Sequence, residues 1–297
     1  MAKKQKVVLV TGGAGFVGSN LIERLVKDKT NKVISLDNYF TGSKENHIPG
    51  AQYRQGHSKD IDKLIPEKPD IIYHLGEYSR VASSLDEPGL VWSLNIAGTF
   101  GVLEFWRKHK CKLIYAGSST KFNKAGDNGI EGRDLAPYTW MKAANSELVK
   151  NYATWYKLKY SIVYFYNVYG PRERAGQFDG RYGTVIETFK QAYLKNKPCQ
   201  VRQPGTQTRA FTHVADTVDG ILLVAKKGSN DEYGICASQT YSLLQVAKMF
   251  GCKTKMLPQT KSSRSGKAFS SAEIKKLGWR QKKTLKSYIA EIKTGKK

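Results

Sequence analysis

Three side chains in this sequence have the types and spacing needed to move a proton to or from a hydroxyl on carbon: Ser118, Tyr138 and Lys142. In Tyr138-Thr-Trp-Met-Lys142 a phenol and an ammonium stand four residues apart, which on a helix puts them on one face, a turn apart. A phenol ionises near pH 10, so a tyrosine acting as a base near neutrality needs about 4 kcal/mol of help from its surroundings. A neighbouring ammonium gives that help by favouring the phenolate. Alone, a Tyr-x-x-x-Lys pair is an ordinary structural pair. Its context is the run Leu113-Ile-Tyr115 leading into Ala116-Gly-Ser-Ser-Thr120, about twenty residues earlier. A hydroxyl at such a strand end can bond the substrate oxygen whose proton the tyrosine moves. Ser118 is the candidate, with Ser119 and Thr120 as alternatives; Ser119 reads better as a turn cap.

A second kind of chemistry sits near the start. Thr11-Gly-Gly-Ala-Gly-Phe-Val-Gly18 follows an apolar run and opens into Ser19-Asn-Leu-Ile-Glu-Arg-Leu-Val26. Glycines at 12, 15 and 18 allow a tight turn, close approach of a pyrophosphate to the backbone, and close packing of helix on strand. The helix N-terminus then offers free N–H groups and a positive dipole end to the phosphates. Asp37, about twenty residues on at the end of the next apolar run, is placed to bond the adenine ribose hydroxyls. A carboxylate there repels the extra phosphate of NADP, so the expected cofactor is NAD. The candidate cofactor contacts are Gly12, Gly15, Phe16, Val17, Asp37, Asn38 and Leu75, together with Tyr138 and Lys142.

These groups need a frame. Strand-like runs at Val7–Thr11, Lys32–Asp37, Ile71–Leu75, Lys112–Ala116 and Ser161–Tyr166 alternate with helical patterns over Phe16–Lys27, Leu90–His109 and Tyr138–Tyr156. The alternation predicts an α/β fold: a Rossmann-type, doubly wound parallel sheet covered on both faces, with ligands at the carboxyl ends of its strands. Beyond Gly170 glycine and proline become frequent and the pattern irregular, as expected of a smaller, discontinuous α/β substrate domain. The expected division is 1–169 for the NAD-binding domain, with 212–235 returning to it, and 170–211 plus 236–297 for substrate.

With 297 residues, 40% hydrophobic and 25% charged, the chain can bury a real core and does not read as disordered. No apolar run approaches the roughly 20 residues of a membrane helix, and the short run after Lys6 reads as a strand and not a signal peptide. A soluble, cytoplasmic protein is expected. Cys111, Cys199, Cys236 and Cys252 lack metal-ligand spacing or a disulfide framework, and read as buried free thiols; no metal site is expected. The charge is unusual: 49 Lys and Arg against 25 Asp and Glu leave +24, much of it near the end, as in Lys275-Lys276, Arg280 and Lys282-Lys283. Such a surface attracts polyanions, and a solvated basic face explains it without a specific partner.

Taken together, Thr11 to Gly18, Asp37-Asn-Tyr-Phe-Thr-Gly42, His74-Leu-Gly76, Asn95-Ile-Ala-Gly-Thr99, Tyr138 to Lys142, Asn167-Val-Tyr-Gly-Pro-Arg172 and Arg209-Ala-Phe-Thr-His-Val-Ala-Asp216 resemble the extended short-chain dehydrogenase/reductase family. The Asp-Asn followed by Thr-Gly, and the ending Leu277-Gly-Trp279, are most similar to UDP-glucose 4-epimerases and their relatives. The resemblance runs from residue 7 to about 280. It implies Ser118, Tyr138 and Lys142 as the catalytic group, Asn95 as support for the active-site helix, and Asn167, Arg209 and Arg264 as contacts to a nucleotide-diphosphate sugar. It also implies a homodimer built on the Leu90 and Tyr138 helices. The chain departs from the family at three places: Gly56-His57 where Gly-Asp is frequent, Leu75-Gly76-Glu77 where Leu-Ala-Ala is common, and Lys121-Phe122-Asn123 where Val-Tyr-Gly is frequent.

The implied activity is NAD-dependent 4-epimerisation of a nucleotide sugar, with a UDP-sugar expected, through a transient 4-keto intermediate. Dehydratases of this family place Asp and Glu directly after the catalytic threonine, and decarboxylases usually keep the glutamate; here Ser119 and Thr120 stand there and neither is a carboxylate. Glu77 leaves an extra acid/base role open. The alternatives are another nucleotide-sugar-modifying member, whether dehydratase, decarboxylase or reductase, or a nucleic-acid-binding protein that retains the fold and uses its charge as a weak phosphate-binding surface.

Overall fold

The apolar runs pair side by side into one parallel sheet. The computed structural model describes residues 5–122, 132–174, 183–258 and 270–295. Strand and helix alternate through β1 (Lys6–Thr11), α1 (Phe16–Leu25), β2 (Asn31–Asp37), β3 (Ala51–Gln55), α2 (Ile61–Leu64), β4 (Ile71–His74), α3 (Pro88–Val91), α4 (Gly98–His109), β5 (Lys112–Ser118), α5 (Pro137–Tyr156) and β6 (Lys159–Phe165). There follow β7 (Val168–Tyr169), α6 (Val185–Leu194), β8 (Cys199–Arg202), β9 (Thr208–Ala210), β10 (Thr212–His213), α7 (Val214–Lys227) and β11 (Asp231–Ile235). The last elements are β12 (Thr240–Ser242), α8 (Leu243–Phe250), β13 (Thr254–Leu257), α9 (Ala272–Lys276) and α10 (Leu285–Lys293).

The main sheet runs β11-β6-β5-β4-β1-β2-β3, with every neighbouring pair parallel. This is a Rossmann-type α/β fold. Strand order reverses between β1 and β4, so the ligand crevice opens where Thr11 and His74 stand side by side. One face of the sheet packs Leu9, Ile34, Ile72, Leu113 and Ile162 against Phe105 and Trp106 of α4 and Val149 of α5. The other packs Val8, Val10, Val33, Ile71 and Val163 against α1 and α7. Burial on both faces is why these strands read as continuous apolar runs. Each fully buried side chain of this size adds about 1.5–3 kcal/mol.

Three local features depart from the sequence expectation. Strand β3 (AQYRQ) is polar and only partly buried at the sheet's edge, so no apolar pattern betrays it. The helix expected over 90–109 is interrupted, because Trp92–Ala97 winds as a π-helix between α3 and α4. Helix α1 ends at Leu25, two residues short of Lys27.

Strand β11 completes the sheet beside β6 after the chain has left and returned. Its approach is tied down by Lys112 of β5, whose ammonium donates to the carbonyls of Ala225 (2.9 Å) and Gly228 (2.6 Å). A separate core gathers Tyr169, Ile186, Phe189, Val201, Phe211, Val246, Phe250, Leu285 and Ile289. Ile274 and Trp279 instead bury against the main sheet's second face, where the indole N–H donates to Asp216 O at 2.9 Å. All four cysteines are free; Cys252 is half-buried where burial was expected. Among the described residues no helix is long and apolar enough to cross a membrane.

Candidate active site

At the sheet's switch point two backbone loops touch. Gly12 takes a left-handed φ of +72°, and a Cβ on it would stand 2.7 Å from Gly76 Cα. A Cβ on Gly18 would run into the Gly12 carbonyl. Both positions therefore require glycine, which lets the β1–α1 loop turn and α1 start close against it. Helix α1 opens at Gly15 without a side-chain cap, leaving its first N–H groups directed at the crevice.

Asp37, at the end of β2, is buried and accepts backbone N–H groups from Ala14 (2.9 Å) and Tyr39 (2.8 Å). Burial raises its carboxyl above the ordinary value, against the pull of those N–H groups. The resulting set, a glycine turn, an uncapped helix end and a carboxylate at the next strand end, has the donors a pyrophosphate needs and the acceptor a ribose needs. His57 does not take the place of the frequent aspartate. It caps the turn over Ser58–Asp60 by accepting from Lys59 N (3.0 Å), and it is not among the cavity's lining residues.

Helix α5 carries the phenol and the ammonium. Pro137 fits its first turn, and Thr139 Oγ1 accepts from Ala136 N at 3.0 Å, which fixes the start. Tyr138 and Lys142 are buried one turn apart and line the same cavity as Ser118 and Ser119 at the end of β5. Ser118 and Thr120 share a hydrogen bond of 2.8 Å between their hydroxyls, and Thr120 is fully buried.

Glu77 lies against this group in an arrangement the sequence does not disclose. Its side chain is 2% exposed and pairs with the Lys142 ammonium, which also donates to Ala116 O. The other carboxylate oxygen accepts from Thr99 Oγ1 (2.8 Å), Tyr115 OH (3.1 Å) and Asn145 Nδ2 (2.8 Å). Burial favours the neutral acid, but Lys142 and these donors outweigh it and hold the carboxyl below its ordinary value. Both oxygens are thus engaged by protein donors, and Glu77 also lines the cavity. The signal was an acid where the family commonly has alanine. Asn95 bonds both the loop after β4 and helix α5. Its side chain accepts from Tyr78 N (2.7 Å), and its carbonyl accepts from Asn145 Nδ2 of α5 (3.0 Å).

The same cavity, of about 1020 Å³, extends to the second core. Gly12, Gly15, Phe16, Val17, Asp37, Asn38 and Leu75 line it at one end, and Asn167 and Arg209 line it on the side of the smaller unit. Arg264 lies outside the described residues. Asn167 is in the left-handed region (φ 35°) and donates to Ala210 O at 2.9 Å. Arg209, in β9, is largely buried; among the described residues its Nε has no partner, and burial lowers its pKa without an opposing acid. Glu173 also lines the cavity. One of its oxygens accepts from Thr184 Oγ1 and the other has no partner among the described residues. Burial and nearby Glu187 push this carboxyl up to about 8. Nothing in its sequence context marks Glu173.

A Rossmann sheet with a glycine turn, a strand-end serine and a Tyr-x-x-x-Lys pair opening into one cavity defines an enzyme of the extended short-chain dehydrogenase/reductase class. Within it the chain belongs to the NAD dependent epimerase/dehydratase family, whose model matches residues 8–236. It is 32% identical over 226 residues to a putative UDP-glucose 4-epimerase of Methanocaldococcus jannaschii, spanning 73% of this chain and 72% of that one. It is 29% identical over 259 residues to a UDP-N-acetyl-alpha-D-glucosaminuronate decarboxylase of Bacillus cytotoxicus, spanning 82% and 79%. A solved UDP-glucose 4-epimerase of Thermotoga maritima with UDP-glucose is similar over 95% of this chain and 96% of that one, with a TM-score of 0.87 and 25% identity. Epimerases and decarboxylases both stand among these relatives, so kinship defines the family and leaves the reaction to the site.

Proposed function

We propose that this enzyme epimerises a nucleotide-linked sugar at C4, acting on a UDP-sugar. The observation that supports it best is the set of groups around Tyr138: Ser118, Tyr138 and Lys142 share a cavity, while Ser119 and Thr120 stand where an acid is needed for dehydration and Glu77 is tied to Lys142. Gly12, Gly15, Phe16, Val17, Asp37, Asn38 and Leu75 would hold NAD, with Lys142 at the nicotinamide ribose. When bound, NAD supplies reversible uptake of a hydride.

The chain's own residues do the rest. Ser118 bonds the C4 oxygen, Tyr138 takes its proton as C4 loses hydrogen, and the 4-keto sugar turns in the cavity. Tyr138 gives the proton back when C4 regains hydrogen on its other face, so no net redox change remains. Asn167 and Arg209 bind the diphosphate, which matches a largely buried guanidinium whose Nε has no partner among the described residues. Residues 1–169 and 212–235 would serve the cofactor, and 170–211 with 236–297 the sugar nucleotide, apart from Ile274 and Trp279, which stay with the sheet. Relatives named for UDP-glucose support the choice of nucleotide.

A second reading rests on Glu173, a carboxyl held neutral at pH 7 within the cavity, the state a general acid requires. One experiment separates the two. UDP-, GDP- and dTDP-sugars are incubated with the NAD-loaded protein and followed by proton NMR. New signals of the C4 epimer support epimerisation, whereas loss of the C6 hydroxymethyl pattern or of a uronic carboxyl replaces it with dehydration or decarboxylation.

A further inference from the structure

We propose that Glu77 is a positioning residue that fixes the Lys142 ammonium and couples it to the glycine loop. The inference rests on the assignment of Lys142 to the cofactor made above.

Lysine has three N–H donors on a flexible stem. Here two point inward, to Glu77 and to Ala116 O, and the ammonium lies 4.7 Å from the centre of the Tyr115 ring. One donor is left for the cavity, in a direction set by the other two. Without Glu77, among the described residues the inward side would offer the Ala116 carbonyl alone, and an ammonium whose side chain is 5% exposed would lose the acid paired with it.

Glu77 is itself held by a directed chain. Thr99 gives its hydroxyl proton to Glu77 (2.8 Å), so its oxygen must accept from His74 Nε2–H (3.0 Å). His74 Nδ1 is then free to accept the Thr11 hydroxyl proton (2.6 Å), and Thr11 Oγ1 accepts Gly76 N–H at 3.1 Å. A single tautomer of His74 satisfies every bond, and its burial keeps the ring neutral. The chain runs from Lys142 to Thr11, the residue immediately before Gly12, and joins the two loops that meet at Gly12 and Gly76. Reorientation of Lys142 would break bonds as far away as the cofactor turn. With both carboxylate oxygens already accepting protein donors, Glu77 acts through the lysine.

The test is a double-mutant cycle read by calorimetric titration of NAD into apoprotein, beside kcat and KM on the sugar nucleotide. Glu77→Gln should weaken NAD about 5-fold and Lys142→Met about 10-fold, while the double variant binds within about twofold of Lys142→Met alone, because coupled residues do not add. Glu77→Gln should also lower kcat about 10-fold with KM moving less than about twofold, since the loss concerns alignment and not sugar binding. Effects that multiply, or a Glu77→Gln variant within twofold of wild type in both NAD affinity and kcat, would overturn the proposal. If Glu77→Gln alone does not fold, the charge-neutral double variant is compared with Lys142→Met: equal NAD affinity supports the coupling and a difference beyond about threefold overturns it. A protein that shows this NAD pattern but turns over no sugar nucleotide would remove the proposed reaction and leave the role of Glu77 in place.

Discussion

The Asp37 carboxylate accepts the backbone N–H of Ala14 at 2.9 Å, so the acid at the end of the second strand also clamps the glycine loop after the first. In the proposed NAD site, selectivity for the cofactor and rigidity of its turn would both rest on this one side chain. Asp37→Ala should weaken NAD binding and shrink the preference for NAD over NADP by about tenfold or more, the equivalent of 1.4 kcal/mol. Asp37→Asn should keep more of the turn while losing the charge that repels a 2′-phosphate. Tighter binding of NADP than NAD by the unaltered protein would contradict this account.

Tyr138→Phe removes only a hydroxyl from a buried ring. Folding and NAD affinity should persist, while turnover falls by at least ~100-fold, the lower end for loss of a positioned acid/base. Near-normal turnover in that variant would eliminate the proposed chemistry.

Arg209→Ala should weaken UDP binding by more than ~1.5 kcal/mol, the lower range for charged hydrogen bonds, with NAD affinity almost unchanged. A free sugar should show no measurable turnover, because the diphosphate's binding energy positions the carbon. Equal rates on free and nucleotide-linked sugar would remove the nucleotide-sugar assignment.

Glu173 gives stability a recognisable pH dependence. Its folded pKa of about 8 lies above the ordinary 4.5, so the folded chain binds the proton more tightly and stability falls as pH rises through that window. His74 and His213, both pushed down to about 4 by burial, act with the opposite sign, and because the unfolded imidazoles are still half protonated at pH 6.5 they offset part of the Glu173 loss above it. Urea unfolding should therefore show a loss of about 1 kcal/mol between about pH 6.5 and 8.5, absent in Glu173→Gln. An unchanged slope in the variant would show that another group is responsible.

Trp92, Phe100 and Trp155 are 53%, 53% and 60% exposed along the helical segments 88–109 and 137–156. Large aromatic side chains left in water on two adjacent helices suit a second copy of the chain. Sedimentation should give a dimer for the wild type and a monomer for Phe100→Glu/Trp155→Glu; a monomeric wild type would set the dimer aside.

The sheet and its cofactor turn were legible because both are written in local pattern: apolar runs, glycines at fixed offsets, and an acid at a strand end. That Ser118, Tyr138 and Lys142 line one cavity was legible from the strand end and the Tyr-x-x-x-Lys spacing. Strand β3 was not, since an edge strand with one wet flank needs no apolar run. The Glu77–Lys142 pair was hidden because it joins residues from different elements, and its signature was a misfit at one position. Glu173 was invisible, because burial of a single acid in a cavity wall leaves no periodic trace.

Strand β6 gains its outer neighbour only when residues 231–235 return to it, after the chain has built α6, β8 and β9. During synthesis on the ribosome, the first 165 residues therefore carry an unpaired strand edge and a face awaiting α7, both of which invite association with other chains. Contacts that tie the returning segment to the first half, such as Lys112 with Gly228 and Arg24 with Asp219, can form only after that segment has been made.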